Sequence, residues 1–140
     1  MALELRNFDM AVSSLERACA YSRRVLEGGE VREDEAEMVR AAVVQNFEFT
    51  YEMCWKYMKR WLDSNYSSSL TLGISRKQLF RLALENLLID DFDAWVKYHE
   101  LRNLTVHTCD EAVATRLLDE AEAFRAHARE LYRAIEARND

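Results

Sequence analysis

The sequence predicts an all-α protein, a four- or five-helix bundle, on three observations. The 140 residues contain no proline and only three glycines, too few to supply the tight turns of an all-β fold. Apolar residues recur at spacings of three and four along most of the chain, the period of helices with one buried face. Hydrophobic residues make up 49% and charged residues 31%, a balance that suits a packed core and argues against disorder. A chain of this length reads as one domain over residues 1–140 and can bury roughly two-thirds of its unfolded surface.

The first helix is expected from Leu3 to Glu27, with Leu5, Phe8, Val12, Leu15, Cys19, Ser22 and Leu26 on one stripe. Gly28-Gly29 ends it, and the acidic run Glu30, Glu33, Asp34, Glu35 and Glu37 opens the next helix, where carboxylates favour the positive end of the helix dipole. That second helix is expected from Arg32 to Asp63. It carries two adjacent stripes, Val39-Val43-Asn46-Thr50-Met53-Tyr57 and Val44-Phe47-Tyr51-Trp55-Met58-Leu62. Two stripes make a wide face, which places this helix at the centre of the core. At that spacing its aromatics read as core rather than as a base-stacking platform.

Ser64 to Ser75 is serine-rich and uncharged, the one long loop, and loops of this length are usually mobile or functional. Ser75 with Gln78 forms a capping-box pattern that opens a short helix, Arg76 to Asn86. Asp90 or Asp91 caps a fourth helix with Phe92, Trp95, Val96, His99, Asn103 and Val106 at helical spacing. Thr108 with Glu111 is a second capping-box pattern; it implies that the fourth helix stops near His107 and the fifth starts just after Asp110. The fifth helix points Val113, Leu117, Phe124, Ala128, Leu131 and Ile135 inward, and the terminal Ala-Arg-Asn-Asp is expected to fray.

Charge and cysteine usage narrow the function classes. A formal charge of −6 means that the surface as a whole does not advertise for nucleic acid. Three widely spaced cysteines, Cys19, Cys54 and Cys109, read as reduced thiols of a cytoplasmic protein. No signal peptide or membrane-spanning run is visible. No glycine-rich phosphate loop and no zinc spacing among His99, His107 and His127 is present, so no cofactor and no metal are expected.

The polar stretch Glu100 to Cys109 is where chemistry is expected. Arg102 stands five residues before His107, and Asn103 one helical turn before it. A histidine can move a proton in either direction near neutral pH, and an arginine fork can hold a phosphate bidentately. Together they supply what cleavage of an RNA phosphodiester needs. On a regular helix Arg102 and His107 stand about 140° apart, so one site uses both only if the helix loosens or a second copy of the chain completes it. The plainer alternative is that His107 caps a helix end and Arg102 pairs with a surface acid. Glu48, Glu52 and Lys56 form a column on the second helix, either an ordinary surface ion pair or the mouth of a cleft beside the fourth helix. The basic residues Lys56, Lys59, Arg60, Arg76, Lys77 and Arg81 face only Asp63 among acids in their stretch. They read as a solvated face, a phosphate-binding strip or a surface for an acidic partner.

Three segments in order, Gln45-Asn46-Phe47-Glu48-Phe49-Thr50-Tyr51-Glu52-Met53-Cys54-Trp55-Lys56, then Leu87-Leu88-Ile89-Asp90-Asp91, then Arg102-Asn103-Leu104-Thr105-Val106-His107-Thr108, resemble the HEPN superfamily. More narrowly they resemble its nucleotidyltransferase substrate-binding proteins. The resemblance implies an up-and-down, antiparallel helical bundle that forms a homodimer and binds a minimal nucleotidyltransferase. In toxins of this superfamily, an arginine–histidine motif built across the dimer is a metal-independent ribonuclease site, and the nucleotidyltransferase is the antitoxin. By position Arg102 and His107 match that motif and Asn103 its polar neighbour; Glu48, Glu52 and Lys56 are the accompanying substrate-binding candidates. One position departs: Cys109 stands where a tyrosine that accepts AMP is common, which puts that form of regulation in doubt.

Overall fold

A computed structural model describes residues 2–105 and 110–140. Among the described residues all regular structure is helical: α1 (Arg6–Glu27), α2 (Glu33–Asn65), α3 (Arg76–Glu85), α4 (Phe92–Leu104) and α5 (Glu111–Ala137). Cross-helix hydrogen bonds define an up-and-down arrangement. Tyr57 donates to the Glu4 carbonyl, Thr50 to the Ala11 carbonyl, and Ser14 to Asn46, so α1 and α2 run antiparallel. Arg129 of α5 reaches Glu16 and Asp9 of α1, while Asn139 meets Leu3, which sets α5 antiparallel to α1. No described helix is long and apolar enough to cross a membrane.

The wide face of α2 is the centre of the core, as its two stripes predict. Val43, Phe47, Tyr51, Cys54, Met58 and Leu62 are buried there, and Phe124 of α5 packs edge-on against Phe47, Trp95 and Tyr98. Aromatic edges against faces match positive to negative parts of the ring quadrupoles, adding to the area buried.

Several elements differ from expectation. Helix α1 begins at Arg6 rather than Leu3, because Leu3 is engaged through both backbone groups by the Asn139 side chain, at 2.7 and 2.9 Å. The same clasp, with Arg138 donating to the Asn86 carbonyl at 2.8 Å and lying over Trp61, ties down the C-terminus against the expected fraying. Helix α2 runs two residues past Asp63, to Asn65. The serine-rich loop is anchored: the backbone N–H and hydroxyl of buried Thr71 both donate to Asp63.

Helix α4 is the largest departure. Its buried residues are Ala94, Trp95, Tyr98 and Leu101, whereas Phe92, Val96 and His99 are half-buried and Asn103 is exposed. The two faces differ by a rotation of about one residue, and tyrosine and alanine, both weakly apolar, hide the true one. Helix α4 ends at Leu104, with Thr105 as its C-cap, earlier than the expected stop near His107. Helix α5 starts just after Asp110, as expected, with Asp110 as its cap, the carboxylate accepting from the Ala112 N–H. Val106, His107, Thr108 and Cys109 lie outside the described residues.

Candidate functional site

Arg102 sits in the last turn of α4, facing α2. Its Nη1 donates to the Thr105 hydroxyl at 2.8 Å, and that hydroxyl donates back to the Arg102 carbonyl at 2.6 Å. Carboxylates stand on two more sides: Glu48 is 3.5 Å from Nη1 and Glu52 is 3.5 Å from Nε. The α2 spacing explains the pair, since residues four apart on a helix present their side chains to one neighbour. The 3.5 Å separations are electrostatic contacts rather than formed hydrogen bonds, and the buried Nε has no hydrogen-bond partner among the described residues. A guanidinium has five N–H donors, and Nη1 is the nitrogen that the described side chains engage by hydrogen bonding.

Glu52 has a second tether, accepting from Trp55 Nε1 at 3.1 Å. The Trp55 ring carries the Arg76 guanidinium at 3.6 Å from its centroid and the Lys56 ammonium at 5.7 Å, distances at which a cation is attracted to the ring face. The expected Glu52–Lys56 ion pair is not formed, because Glu52 turns toward Arg102 and Trp55. One turn before Arg102 on α4, His99 Nδ1 lies 2.8 Å from the Tyr51 hydroxyl. Burial, then the charge of Arg76, hold the His99 pKa below its ordinary value, against the opposing pull of Glu100 and Glu52. Burial raises the Tyr51 phenol, so a neutral phenol and a neutral imidazole share this hydrogen bond.

The structure thus brings together Arg102, Glu48 and Glu52, leaves Lys56 and Asn103 exposed beside them, and adds Tyr51, Trp55, Arg76 and His99, which the sequence reading places in the core or in a charged strip. His107 lies outside the described residues. Glu48 also borders a cavity of about 640 Å³ between the first half of α2 and the start of α5, with Glu33, Glu37, Glu111 and Arg40 on its walls. Four carboxylates against one arginine make it acidic. The basic strip is partly consumed by the fold itself: Lys59 pairs with Asp63, Arg60 lies over Tyr57, and Arg81 over Phe92.

Comparison with known proteins bears on this geometry. Residues 3–137 match the family described as nucleotidyltransferase substrate binding protein like. The chain belongs to this family. A curated relative, the probable ribonuclease HepT of Haemophilus influenzae, is 34% identical over 100 residues, covering 71% of this chain and 68% of that protein. Among solved structures, HI0074 of Haemophilus influenzae, described as revealing the fold of a substrate binding domain of a nucleotidyltransferase, superposes with a TM-score of 0.89 at 28% identity. The alignment covers 95% of this chain and 99% of that one. A crystal structure from Thermus thermophilus aligns with a TM-score of 0.58, also at 28% identity, over 89% of this chain and 97% of its own.

Proposed function

We propose that this chain is the toxin of a toxin–antitoxin pair, a metal-independent endoribonuclease that cuts RNA with Arg102 and His107 and is held in check by a minimal nucleotidyltransferase. The observation that carries the reading is the clamped guanidinium. Arg102 is fixed at the end of α4 by Thr105, Glu48 and Glu52, five residues before His107, in a chain related to a probable ribonuclease. The clamp leaves the Nη2 edge for a phosphate oxygen, the planar geometry that suits arginine to phosphate. Glu48 and Glu52 therefore position Arg102, a change from the substrate-binding role expected of them, while exposed Asn103 and Lys56 contact the RNA.

In the reaction the RNA 2′-hydroxyl attacks the adjacent phosphorus and the bond to the 5′-oxygen breaks. His107 takes the 2′-proton or delivers one to the departing 5′-oxygen, and Arg102 steadies the charge on the pentacoordinate phosphorus. The products end in a 2′,3′-cyclic phosphate and a 5′-hydroxyl. A homodimer supplies two histidines, one for each transfer. Buried, unpaired Cys19 and Cys54 support a cytoplasmic setting.

A second reading is favoured by the acidic groove beside Glu48: a non-catalytic subunit that holds substrate for a nucleotidyltransferase. Its carboxylates suit a basic protein surface better than an RNA backbone. The deciding experiment is cleavage of mixed cellular RNA in EDTA by wild type, Arg102→Ala and His107→Ala. Cyclic-phosphate ends from wild type alone are the expected result. Equal cleavage by His107→Ala removes the proposed mechanism, and no cleavage by any of the three moves the function to the binding subunit, whose signature is nucleotide transfer that requires this chain.

A further inference from the structure

At the end of α4 opposite Arg102, the turn between α3 and α4 meets α5. Asp90, His127 and Glu130 each present one ligand atom there, and the three atoms lie within 4.8 Å of one another. The three residues line a cavity of about 300 Å³ whose remaining wall includes Leu88, Trp95 and Leu131. His127 and Glu130 are three apart on α5, so both project from one face, and Asp90 arrives from the opposite side on the turn. Among the described residues, neither Asp90 nor Glu130 forms an ion pair with a lysine or arginine, although ten ion-pair contacts are formed elsewhere by other residues. Among the described residues, two carboxylates thus stand near an imidazole with no lysine or arginine at ion-pair distance.

The imidazole is oriented from behind. His127 Nδ1 lies 2.6 Å from the Tyr98 hydroxyl, and Trp95 and Tyr98 both pack against the ring. In the tautomer whose Nδ1–H donates to the Tyr98 oxygen, Nε2 carries the lone pair and is left for a ligand. This is the arrangement that metal-ligating histidines use, in which a hydrogen bond to the far nitrogen fixes tautomer and ring angle.

We propose that Asp90, His127 and Glu130 form a binding site for a divalent transition-metal ion of the zinc class, fastening the α3–α4 turn to α5. One nitrogen and two carboxylate oxygens suit a borderline ion; calcium and magnesium prefer oxygen alone. Metal–ligand bonds of about 2.0–2.2 Å require the three atoms to draw closer than they stand, a movement open to the exposed Asp90 and Glu130 side chains. A fourth position faces solvent. The site shares no residue with the Arg102 cluster, so the two assignments stand or fall separately.

The test is titration of the full chain with ZnCl2 by calorimetry, and with CoCl2 by absorbance, for wild type, Asp90→Asn, Glu130→Gln and His127→Gln. Wild type is expected to take up one equivalent at this site. Each carboxylate variant should bind it at least about tenfold more weakly, by the scale on which supporting groups tune a metal site, and His127→Gln should lose it. At a hundredfold excess over Kd, zinc should raise the wild-type Tm by roughly 5–10 °C and leave the melting of His127→Gln unmoved. The cobalt complex should lack a thiolate charge-transfer band and should survive His107→Ala, which disables the proposed ribonuclease. No stoichiometric uptake by wild type, or undiminished uptake by His127→Gln, would overturn the assignment.

Discussion

Arg102 stands against Glu48 and Glu52 with all three side chains about one-third exposed, at 29, 34 and 35%. Water screens such a cluster, so its contribution to stability is small, and its value lies in fixing where the guanidinium points. A double-mutant cycle with Arg102→Ala and Glu52→Gln should give a coupling energy below about 1 kcal/mol in urea unfolding. RNA cleavage by Glu52→Gln should nonetheless fall by roughly tenfold or more, since a misplacement of about 1 Å can cost on the order of a hundredfold; an unchanged rate would remove the positioning role. His99 supplies a pH dependence. Its folded pKa lies below the unfolded value of about 6.5, so on acidification the unfolded chain takes up the proton first. The stability it contributes is full above that unfolded value and is lost as pH falls toward and through the folded one. Between pH 7.5 and 5.5 the urea midpoint of wild type should therefore drop further than that of His99→Gln, and parallel slopes would refute this account.

Helix α3 ends in a Schellman arrangement, with the Leu88 N–H bonded to the Ala83 carbonyl and the Leu87 N–H to Leu84. Leu87 occupies its left-handed position at φ 61°, where a Cβ crowds the following carbonyl and glycine is the usual residue. Its side chain is 77% exposed, so little packing is lost by removing it. Leu87→Gly should stabilise the protein by about 0.5–1 kcal/mol, seen as a higher Tm; a lower Tm would mean that the leucine packs against something that its exposure conceals. This element also marks what sequence conveys. The Ser75–Gln78 capping box is legible because its partners are three residues apart and form as written, and the two stripes of α2 are legible because period alone defines them. The buried face of α4 is not, since Ala94 and Tyr98 turn inward beside Trp95 and Leu101 while Phe92 and Val96 are only half-buried. At the site, Arg102 stands out by spacing, whereas its contacts with Glu48 and Glu52 depend on how α4 docks on α2. Asp90 and His127 meet only because α5 returns past the α3–α4 turn, which no local pattern records.

Over the whole molecule, one aromatic side chain joins the helices that carry both sites. Phe124 of α5 is fully buried, with ring centroids 4.8 Å from Phe47 of α2, 4.9 Å from Tyr98 and 6.0 Å from Trp95 of α4. Tyr98 in turn braces His127, and α4 carries Arg102 at its far end. Removing the ring deletes its transfer free energy and leaves a cavity that rigid neighbours fill only in part, a loss of about 3–5 kcal/mol. Against a total of about 5–15 kcal/mol for a domain of this kind, Phe124→Ala should lower Tm by roughly 10 °C or more while the chain still folds in the cold. The contacts that α4 and α5 share through Phe124 are expected to couple their opening. Amide exchange in Phe92–Leu104 and in the middle of α5 should accelerate together in the variant, by similar factors. If α4 alone exchanges faster, the helix that presents Arg102 opens independently of the bundle, and under the proposed ribonuclease function the placing of that arginine would be governed by local opening rather than by the stability of the whole fold.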